Sequence, residues 1–157
     1  MSVLFFAIYS ICIFYKMDKL HVPKRYIPKV LSTSDTKKQR AYLRKSRRLY
    51  KRGVYFSRPK VKSFKSKPSG HVERAKRKFG VDKIGATAEL ARKSRCSRKA
   101  LEKIMSKGRG AYFSSGSRPN QSAESWAIAR LASALTGGPA AKVDHNILEE
   151  GCQIKGT

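Results

Sequence analysis

The stretch KGRGAYFSSGSRPNQSAESWAIARLASALTGG, residues 107–138, decides the fold because it leads a glycine- and serine-rich segment into the best-formed helix of the chain. Ser122 is a favourable N-cap, since a serine hydroxyl accepts a hydrogen bond from the first helical turn. Apolar residues then recur at the spacing of an amphipathic helix. Two glycines at 137–138 predict its end, and Pro139 is suited to begin another helix. The pattern predicts a helical nucleus for the fold.

The segment before this helix, residues 107–121, is predicted to be a loop, and it has two interpretations. In the structural one, its glycines adopt positive φ while Tyr112 and Phe113 fold back onto the core. In the functional one, successive backbone N–H groups form an anion-binding nest. The glycine spacing matches neither a P-loop nor a dinucleotide fingerprint, which favours the structural interpretation. The candidate loop and interface residues are Arg109, Tyr112, Phe113, Arg118 and Trp126.

The charge of the chain points to a polyanionic partner. The 157 residues include 36 Lys and Arg against 10 Asp and Glu, for a formal net charge of +26. Residues 1–80 hold 23 basic and 3 acidic side chains, a net charge of +20, whereas residues 81–157 hold 13 and 7, a net charge of +6. Self-repulsion on this scale favours binding to nucleic acid or to an acidic protein or lipid surface.

The chain is predicted to be mainly α-helical, with a small helical C-terminal domain and a long, basic, partly extended N-terminal arm. The length allows one modest domain. The predicted parts are an apolar segment at 1–16, a basic arm at 17–69 with one helix at about 33–52, a compact helical domain at 70–152, and a tail at 153–157.

The apolar segment is too short to cross a bilayer as a helix, because its first 15 residues would span only about 22 Å. Three interpretations remain: a membrane-surface or half-spanning anchor, a buried docking segment, or an upstream start codon that does not begin the functional protein. Met17 would begin an ordinary soluble protein, which favours the last.

The helix of the arm is predicted to begin after Ser32 as its N-cap, with Asp35 at the third helical position, and to end at Gly53. The absence of acidic partners argues against a lattice of intrahelical ion pairs. Residues 54–69 alternate aromatic or aliphatic residues with basic ones, which suits an edge strand, a groove on a protein partner or single-stranded nucleic acid. The candidate polyanion- or partner-binding residues are Lys37, Lys38, Arg40, Arg44, Lys45, Arg47, Arg48, Lys51, Arg52, Arg58, Lys60, Lys62 and Lys65.

A second basic helix is predicted from Gly70 to Phe79, ending at Gly80. A helix-turn-helix-like unit is then predicted from helices at about 84–94 and 97–107, separated by a break at 95–96, with Ser97 as the N-cap of the second helix. As a DNA reader it would need Arg98, Lys99 and Glu102 to reach base edges. Two packed helices are common in helical domains, so this signal is weak by itself. A last helix is predicted at about 139–150.

No catalytic, metal or cofactor site is predicted. Cys12, Cys96 and Cys152 are odd in number and far apart, so they indicate neither a disulfide framework nor a zinc site, and a reducing compartment is expected. The few acidic residues do not converge as metal-assisted phosphodiester cleavage requires, which disfavours a nuclease.

The sequence resembles a family of short basic proteins of large eukaryotic DNA viruses, including chlorella-type and giant icosahedral viruses. The resemblance covers most of residues 25–152 and is carried by RYIPKVLS (25–32), HVERAKRKFGV (71–81) and GAYFSSGSRPNQ (110–121) with the helix of Trp126. The C-terminal module is also similar to small tailed-phage proteins. The family has no established enzymatic activity, so no catalytic residue is carried over. The resemblance implies a viral origin and a structural part in the virion.

These observations lead to two functional hypotheses. The first is a minor, capsid-associated virion protein of a large icosahedral double-stranded DNA virus, made in the host cytoplasm, that cements capsid subunits through its basic arm. Its partners would be major and other minor capsid proteins, with viral DNA or an anionic inner membrane as further partners and no small-molecule substrate. The alternative is a viral DNA-binding or packaging protein that uses the basic helix and the helix-turn-helix-like unit. If about eight phosphates are neutralised, log K should fall with log salt at a slope near −7.

Overall fold

A computed structural model of the chain describes residues 21–153 and confirms a mainly helical fold. Seven α-helices and one short 3₁₀ turn, Lys24–Tyr26, lie in this range, and no strand is assigned within it. The helices are α1 (Thr33–Tyr50), α2 (Gly70–Phe79), α3 (Ala88–Ser94), α4 (Arg98–Ser114), α5 (Ala123–Leu135), α6 (Pro139–Val143) and α7 (His145–Gly151). The predictions for residues 1–16 and for nearly all of the tail lie outside the described residues.

The predicted helix caps are confirmed. The side chains of Ser32, Ser97 and Ser122 each accept a hydrogen bond from a backbone N–H three residues on, at the starts of α1, α4 and α5. Gly80 ends α2 in the left-handed conformation, and Pro139 occupies the first turn of α6. Each of these signals acts over a few residues, so the local sequence is enough to place it.

The prediction that residues 107–121 form a loop is wrong for its first half. Helix α4 continues to Ser114, so only residues 115–122 connect α4 to α5. Gly108 lies inside α4 because a β-carbon there would come within 2.7 Å of the Ala127 Cα in α5. The close approach of two helix backbones therefore outweighs the low helix propensity of glycine.

The helix predicted at 139–150 is in fact two helices that meet at Asp144. The Asp144 carboxylate is almost fully buried and accepts two hydrogen bonds of 2.8 Å from Arg130, while the Lys107 ammonium lies 3.1 Å away. Burial alone would raise the pKa of Asp144, but these two cations outweigh it and hold the pKa below its ordinary value. The cluster ties the junction of α6 and α7 to α4 and α5.

The core is built around α4 and α5, which make the most extensive contact between any two helices. Leu101 and Ile104 of α4 and Leu131 of α5 are fully buried. Helix α2 packs on α5, α3 covers the start of α4, and α7 packs along α4. Small residues on α5 permit this packing density.

The prediction that the cysteines form no disulfide is wrong for two of them. Cys96 and Cys152 are joined by a disulfide that spans 56 positions of sequence. Two backbone hydrogen bonds flank it, from the N–H of Ser97 to Gly151 and from the N–H of Gln153 to Arg95. The end of α7 is thus fastened to the turn between α3 and α4. Because the two cysteines meet only through the packing of α7 on α4, their spacing along the chain carries no sign of the pairing.

Residues 21–69, predicted as an arm, lie against the helices of residues 70–152. Leu43 on α1 and Tyr26 before it are buried, and so is Val61 in the segment after α1. The Tyr26 ring meets the Trp126 ring of α5 edge-on, with centroids 5.8 Å apart. This part of the chain therefore packs onto the helical domain, although Tyr26, Leu43 and Val61 lie outside the main hydrophobic cluster of residues 75–148.

Candidate polyanion-binding surface

Helix α1 has an inner face that is anchored by uncharged and acidic side chains. Asp35, Gln39, Leu43 and Ser46 are its buried residues. Gln39 donates to the Tyr26 carbonyl at 3.1 Å, and Ser46 donates to the Phe113 carbonyl at 3.0 Å. These bonds fix both the register and the rotation of α1. Their spacing of four, four and three residues is helical, but because three of the four are polar, the row gives no hydrophobic pattern in the sequence.

The opposite side of α1 carries exposed Lys and Arg side chains, which we call the basic face. At 3.6 residues per turn, its members lie on the side away from the buried row and extend over about 20 Å of helix. Within residues 21–153 their only close carboxylate is Asp35, 3.7 Å from Lys38, and the sequence has no acidic residue between 36 and 72. The basic face consists of Lys37, Lys38, Arg40, Arg44, Lys45 and Arg48 on α1, continued by Lys51 and Arg52 in the turn that follows it.

Arg47, predicted to bind a partner, is half-buried and bonded within the protein. Its guanidinium donates to the Ser115 carbonyl at 2.7 Å and to the His21 carbonyl at 3.3 Å. It therefore joins α1 to the connector before α5 and to the beginning of the described chain. We remove it from the predicted binding surface.

The prediction that Arg58 binds a polyanion is also wrong, because the side chain is only 9% exposed. Its guanidinium donates to the Tyr112 carbonyl at 2.8 Å, to Ser46 Oγ at 3.0 Å and to Ser117 Oγ at 2.7 Å. The guanidinium carbon also lies 3.7 Å from the centroid of the Tyr112 ring. Burial lowers the pKa of Arg58 from its ordinary value, but an arginine stays protonated in proteins.

Residues 54–69, which we call the return segment, run back along α1 from its end toward its start. Tyr55 contacts Tyr50, Arg58 bonds to Ser46, and Ser63 bonds to Asp35. No strand or helix is assigned in residues 54–69, so the edge strand suggested by their alternating pattern is absent.

The return segment is held by two polar anchors. The backbone N–H and the hydroxyl of Ser63 donate to Asp35 at 2.8 and 2.7 Å, and these bonds lower the pKa of Asp35. Asn120 in the connector accepts from the Val61 N–H and donates to the carbonyls of Val61 and Phe64. Lys60, Lys62 and Lys65 remain exposed, as expected for binding residues.

The predicted loop and interface residues divide into buried and exposed ones. Tyr112 and Phe113 are buried near the end of α4, in agreement with the structural interpretation. Trp126 is half-buried beside Tyr26, and Arg118 is exposed.

Arg109, which the nest interpretation would place beside an anion, is paired with two carboxylates. Its guanidinium nitrogens lie 2.7 Å from Glu124 and 2.6 Å from Glu102. Hydrogen bonds to Glu124 and then Glu102 raise the pKa of Arg109. Because α4 continues through this stretch and satisfies its own backbone, residues 107–114 form no nest.

The unit at 84–107 has two helices, α3 and α4, but the start of α4 is not free. The Arg98 guanidinium donates to the Ala86 carbonyl, and Glu102 pairs with Arg109. The disulfide also covers this end with the C-terminal segment. A DNA-recognition helix presents its N-terminal residues to base edges. Arg98 and Glu102 are already bonded within the protein. Of the three candidates, Lys99 alone is both exposed and without a hydrogen bond or ion pair among the described residues. We therefore do not place base contacts on α4.

Two further findings concern the described part of the chain. Between residues 21 and 153, no helix is long and apolar enough to cross a membrane. In the same range, no group of three or more His, Cys, Asp or Glu side chains is placed to hold a metal ion.

A model of a protein family of unknown function, DUF5824, matches residues 23–147. The chain belongs to this family. The matched range covers α1 and the helices from α2 to α6, that is, both the basic helix and most of the helical domain of this chain. No curated protein and no solved structure matches the chain.

Proposed function

We propose that the protein is a minor structural protein of the particle of a large double-stranded DNA virus, in which the basic face holds a polyanionic partner. The observation that carries the proposal is the basic face itself: eight exposed cations lie on α1 and the turn that follows it, and the other side of α1 is bonded into the fold. The placement in a virus particle is supported by the sequence resemblance described above. In this role the protein would sit between capsid subunits and the genome or inner membrane.

The anchoring of α1 supports a binding role for its charges. A helix fixed by Gln39, Ser46 and the return segment keeps like charges close together, and this repulsion lowers stability in the free protein. A polyanion relieves the repulsion and releases its own counterions when it binds. A neutral groove on a capsid protein would leave the same cations merely solvated. We therefore expect an anionic surface to lie next to α1 in the virus particle.

The experiment that tests the proposal compares two charge-reversal variants with the wild type for incorporation into virus particles, measured by mass spectrometry of purified virions. The first reverses Arg40, Arg44, Arg48 and Lys51 to Glu. The control makes the same change in net charge elsewhere, at Arg77, Arg92, Lys99 and Lys142, all exposed.

Loss of incorporation in the first variant only is the expected result, with unchanged circular dichroism for both. Absence of the wild-type protein from virions would refute the virion assignment. Normal incorporation of the first variant would show that the basic face serves only solubility.

A second candidate is a DNA-binding or packaging protein, and the lack of acidic residues between 36 and 72 favours it. Neutralising about eight phosphates predicts that log K falls with log salt at a slope near −7. Reversal of Arg40, Arg44, Arg48 and Lys51 to Glu should abolish DNA binding, whereas the control variant should retain it. Binding that does not depend on salt would exclude this candidate, and binding to anionic vesicles alone would assign the surface to the inner membrane.

A further inference from the structure

Aromatic side chains lie at the edge of the basic face, where the chain turns from α1 into the return segment. The most open is Tyr55, whose residue surface is 67% exposed. An exposed tyrosine is unremarkable by itself. Tyr55, however, follows two members of the basic face, Lys51 and Arg52, by only a few residues.

Tyr55 is held in place although it is exposed. Gly53 adopts a φ of +74°, which a residue with a side chain rarely adopts, and so permits the turn that reverses the chain. The N–H of Val54 donates back to the Leu49 carbonyl within this turn. The Tyr55 ring then contacts the Phe113 ring edge-on at 5.1 Å between centroids, and the Tyr50 ring at 6.0 Å. Its position is therefore set by packing before any partner arrives.

A second aromatic residue of the return segment, Phe56, contacts a cation of the basic face directly. The Lys45 ammonium lies 4.5 Å from the centroid of the Phe56 ring, and the Tyr42 ring lies 6.3 Å from it. Aromatic rings and basic side chains thus lie close together along part of the line where the return segment runs beside α1. Proteins that bind single strands combine a positive track for phosphates with rings on which bases stack.

We propose that this surface binds single-stranded nucleic acid, with phosphates on Arg44, Arg48 and Lys51 and a base stacked on Tyr55. The inference rests on the proposed function and names the form of the polyanion. In a duplex the flat faces of the bases are covered by their neighbours, so a ring beside the backbone has nothing to stack on. In a single strand they are open. The basic side chains would bind the phosphates of either form, whereas stacking on Tyr55 is available only to a single strand.

The test measures fluorescence anisotropy of the full chain with a labelled oligothymidylate and with a labelled duplex of equal phosphate number, across a salt series. Replacing Tyr55 with alanine should weaken single-strand binding by about 5- to 150-fold, the effect of losing one stacked base, and leave the salt slope unchanged. Tyr55→Phe keeps the ring and should bind like the wild type. Val143→Ala, at a residue 66% exposed in α6, is the control for loss of an exposed apolar group.

The charge of the surface is tested separately from its ring. The double variant Arg44→Gln and Arg48→Gln should reduce the steepness of the single-strand salt slope by about 1.4, since each lost phosphate contact contributes about 0.7. Adding Tyr55→Ala to this double variant should still weaken single-strand binding, because stacking and phosphate contact involve different atoms.

Each remaining outcome decides the proposal. Equal binding by Tyr55→Ala and the wild type would overturn it, and so would equal losses on the single strand and the duplex. Duplex binding as tight as single-strand binding by the wild type would also overturn it, while leaving the polyanion function in place. Binding to anionic vesicles but to neither nucleic acid would overturn it in favour of a membrane surface, and no binding to any polyanion would overturn the proposed function as well.

Discussion

Replacing Arg58 with alanine removes the side chain that joins the return segment to α1, α4 and the connector before α5. Three hydrogen bonds of 2.7–3.0 Å end on Ser117, Tyr112 and Ser46. Bonds to a charged group each contribute about 1.5–3 kcal/mol. Against this stands the cost of taking the guanidinium out of water, several kcal/mol even after relaxation. We expect the unfolding free energy to fall by about 3–5 kcal/mol, because the substitution leaves one buried carbonyl unpaired, at about 1–3 kcal/mol, and empties the space of a long buried side chain, at about 2–5 kcal/mol for a change such as Met→Ala.

The acceptors that remain after the substitution explain why the loss is not larger. Ser46 Oγ still donates to the Phe113 carbonyl, and Ser117 Oγ still donates to the Arg118 carbonyl. The loss falls on the Tyr112 carbonyl and on the space that the side chain filled. Arg58→Met fills most of this space and leaves mainly one unpaired carbonyl, so its loss should be smaller, about 1–3 kcal/mol.

Urea unfolding at neutral pH measures these differences by circular dichroism and by tryptophan fluorescence. Trp126 is the only tryptophan of the chain and packs on Tyr26, so its emission reports on the contact between residues 21–69 and the helical domain. Lys60→Ala, two residues along in the return segment and exposed, is the matched control and should stay within about 0.5 kcal/mol of the wild type. If Arg58→Ala also stays within that margin, the assignment of Arg58 as a buried anchor is refuted.

Three further predictions concern the helical domain. Gly108→Ala should destabilise the protein by about 1–3 kcal/mol because its new β-carbon would meet the Ala127 backbone at 2.7 Å. Gly110→Ala in the same helix meets its nearest atom at 3.5 Å and should be neutral or stabilising by up to about 1 kcal/mol, so equal losses in urea unfolding would contradict the close approach. Cys152→Ser should lower the unfolding free energy by about 4 kcal/mol, since the disulfide closes a loop across 56 positions. Alkylation of the Cys152 thiol in the unreduced wild type would show instead that the bond is absent. Arg130 and Lys107 hold the pKa of Asp144 below its ordinary value in the folded protein, so its stabilising effect is complete above about pH 5 and is lost as the pH falls through that lowered pKa. Asp144→Asn should therefore lower the unfolding free energy by about 2 kcal/mol at pH 7 and make it less dependent on pH below 5; equal acid sensitivity in both proteins would contradict the ion cluster.

The sequence by itself determined the features that depend on neighbouring residues. The helix caps at Ser32, Ser97 and Ser122 were predicted because a side-chain oxygen bonds to a backbone N–H only three residues away. The excess of basic residues between 36 and 69 was equally visible, and so was the helix that carries most of them. These features need no knowledge of the rest of the fold.

Tertiary structure alone decided which of the basic residues face solvent. Arg58 and Arg47 look like their neighbours in the sequence, yet they bond to residues 54 to 68 positions away and leave the binding surface. The same holds for Gly108, which is helical because α5 lies against it, and for the disulfide between Cys96 and Cys152. In each case the deciding partner is distant along the chain and becomes a neighbour only when the helices pack. Residue type and spacing therefore predict a basic helix, but the packing of the chain selects the charges that remain free to bind a partner.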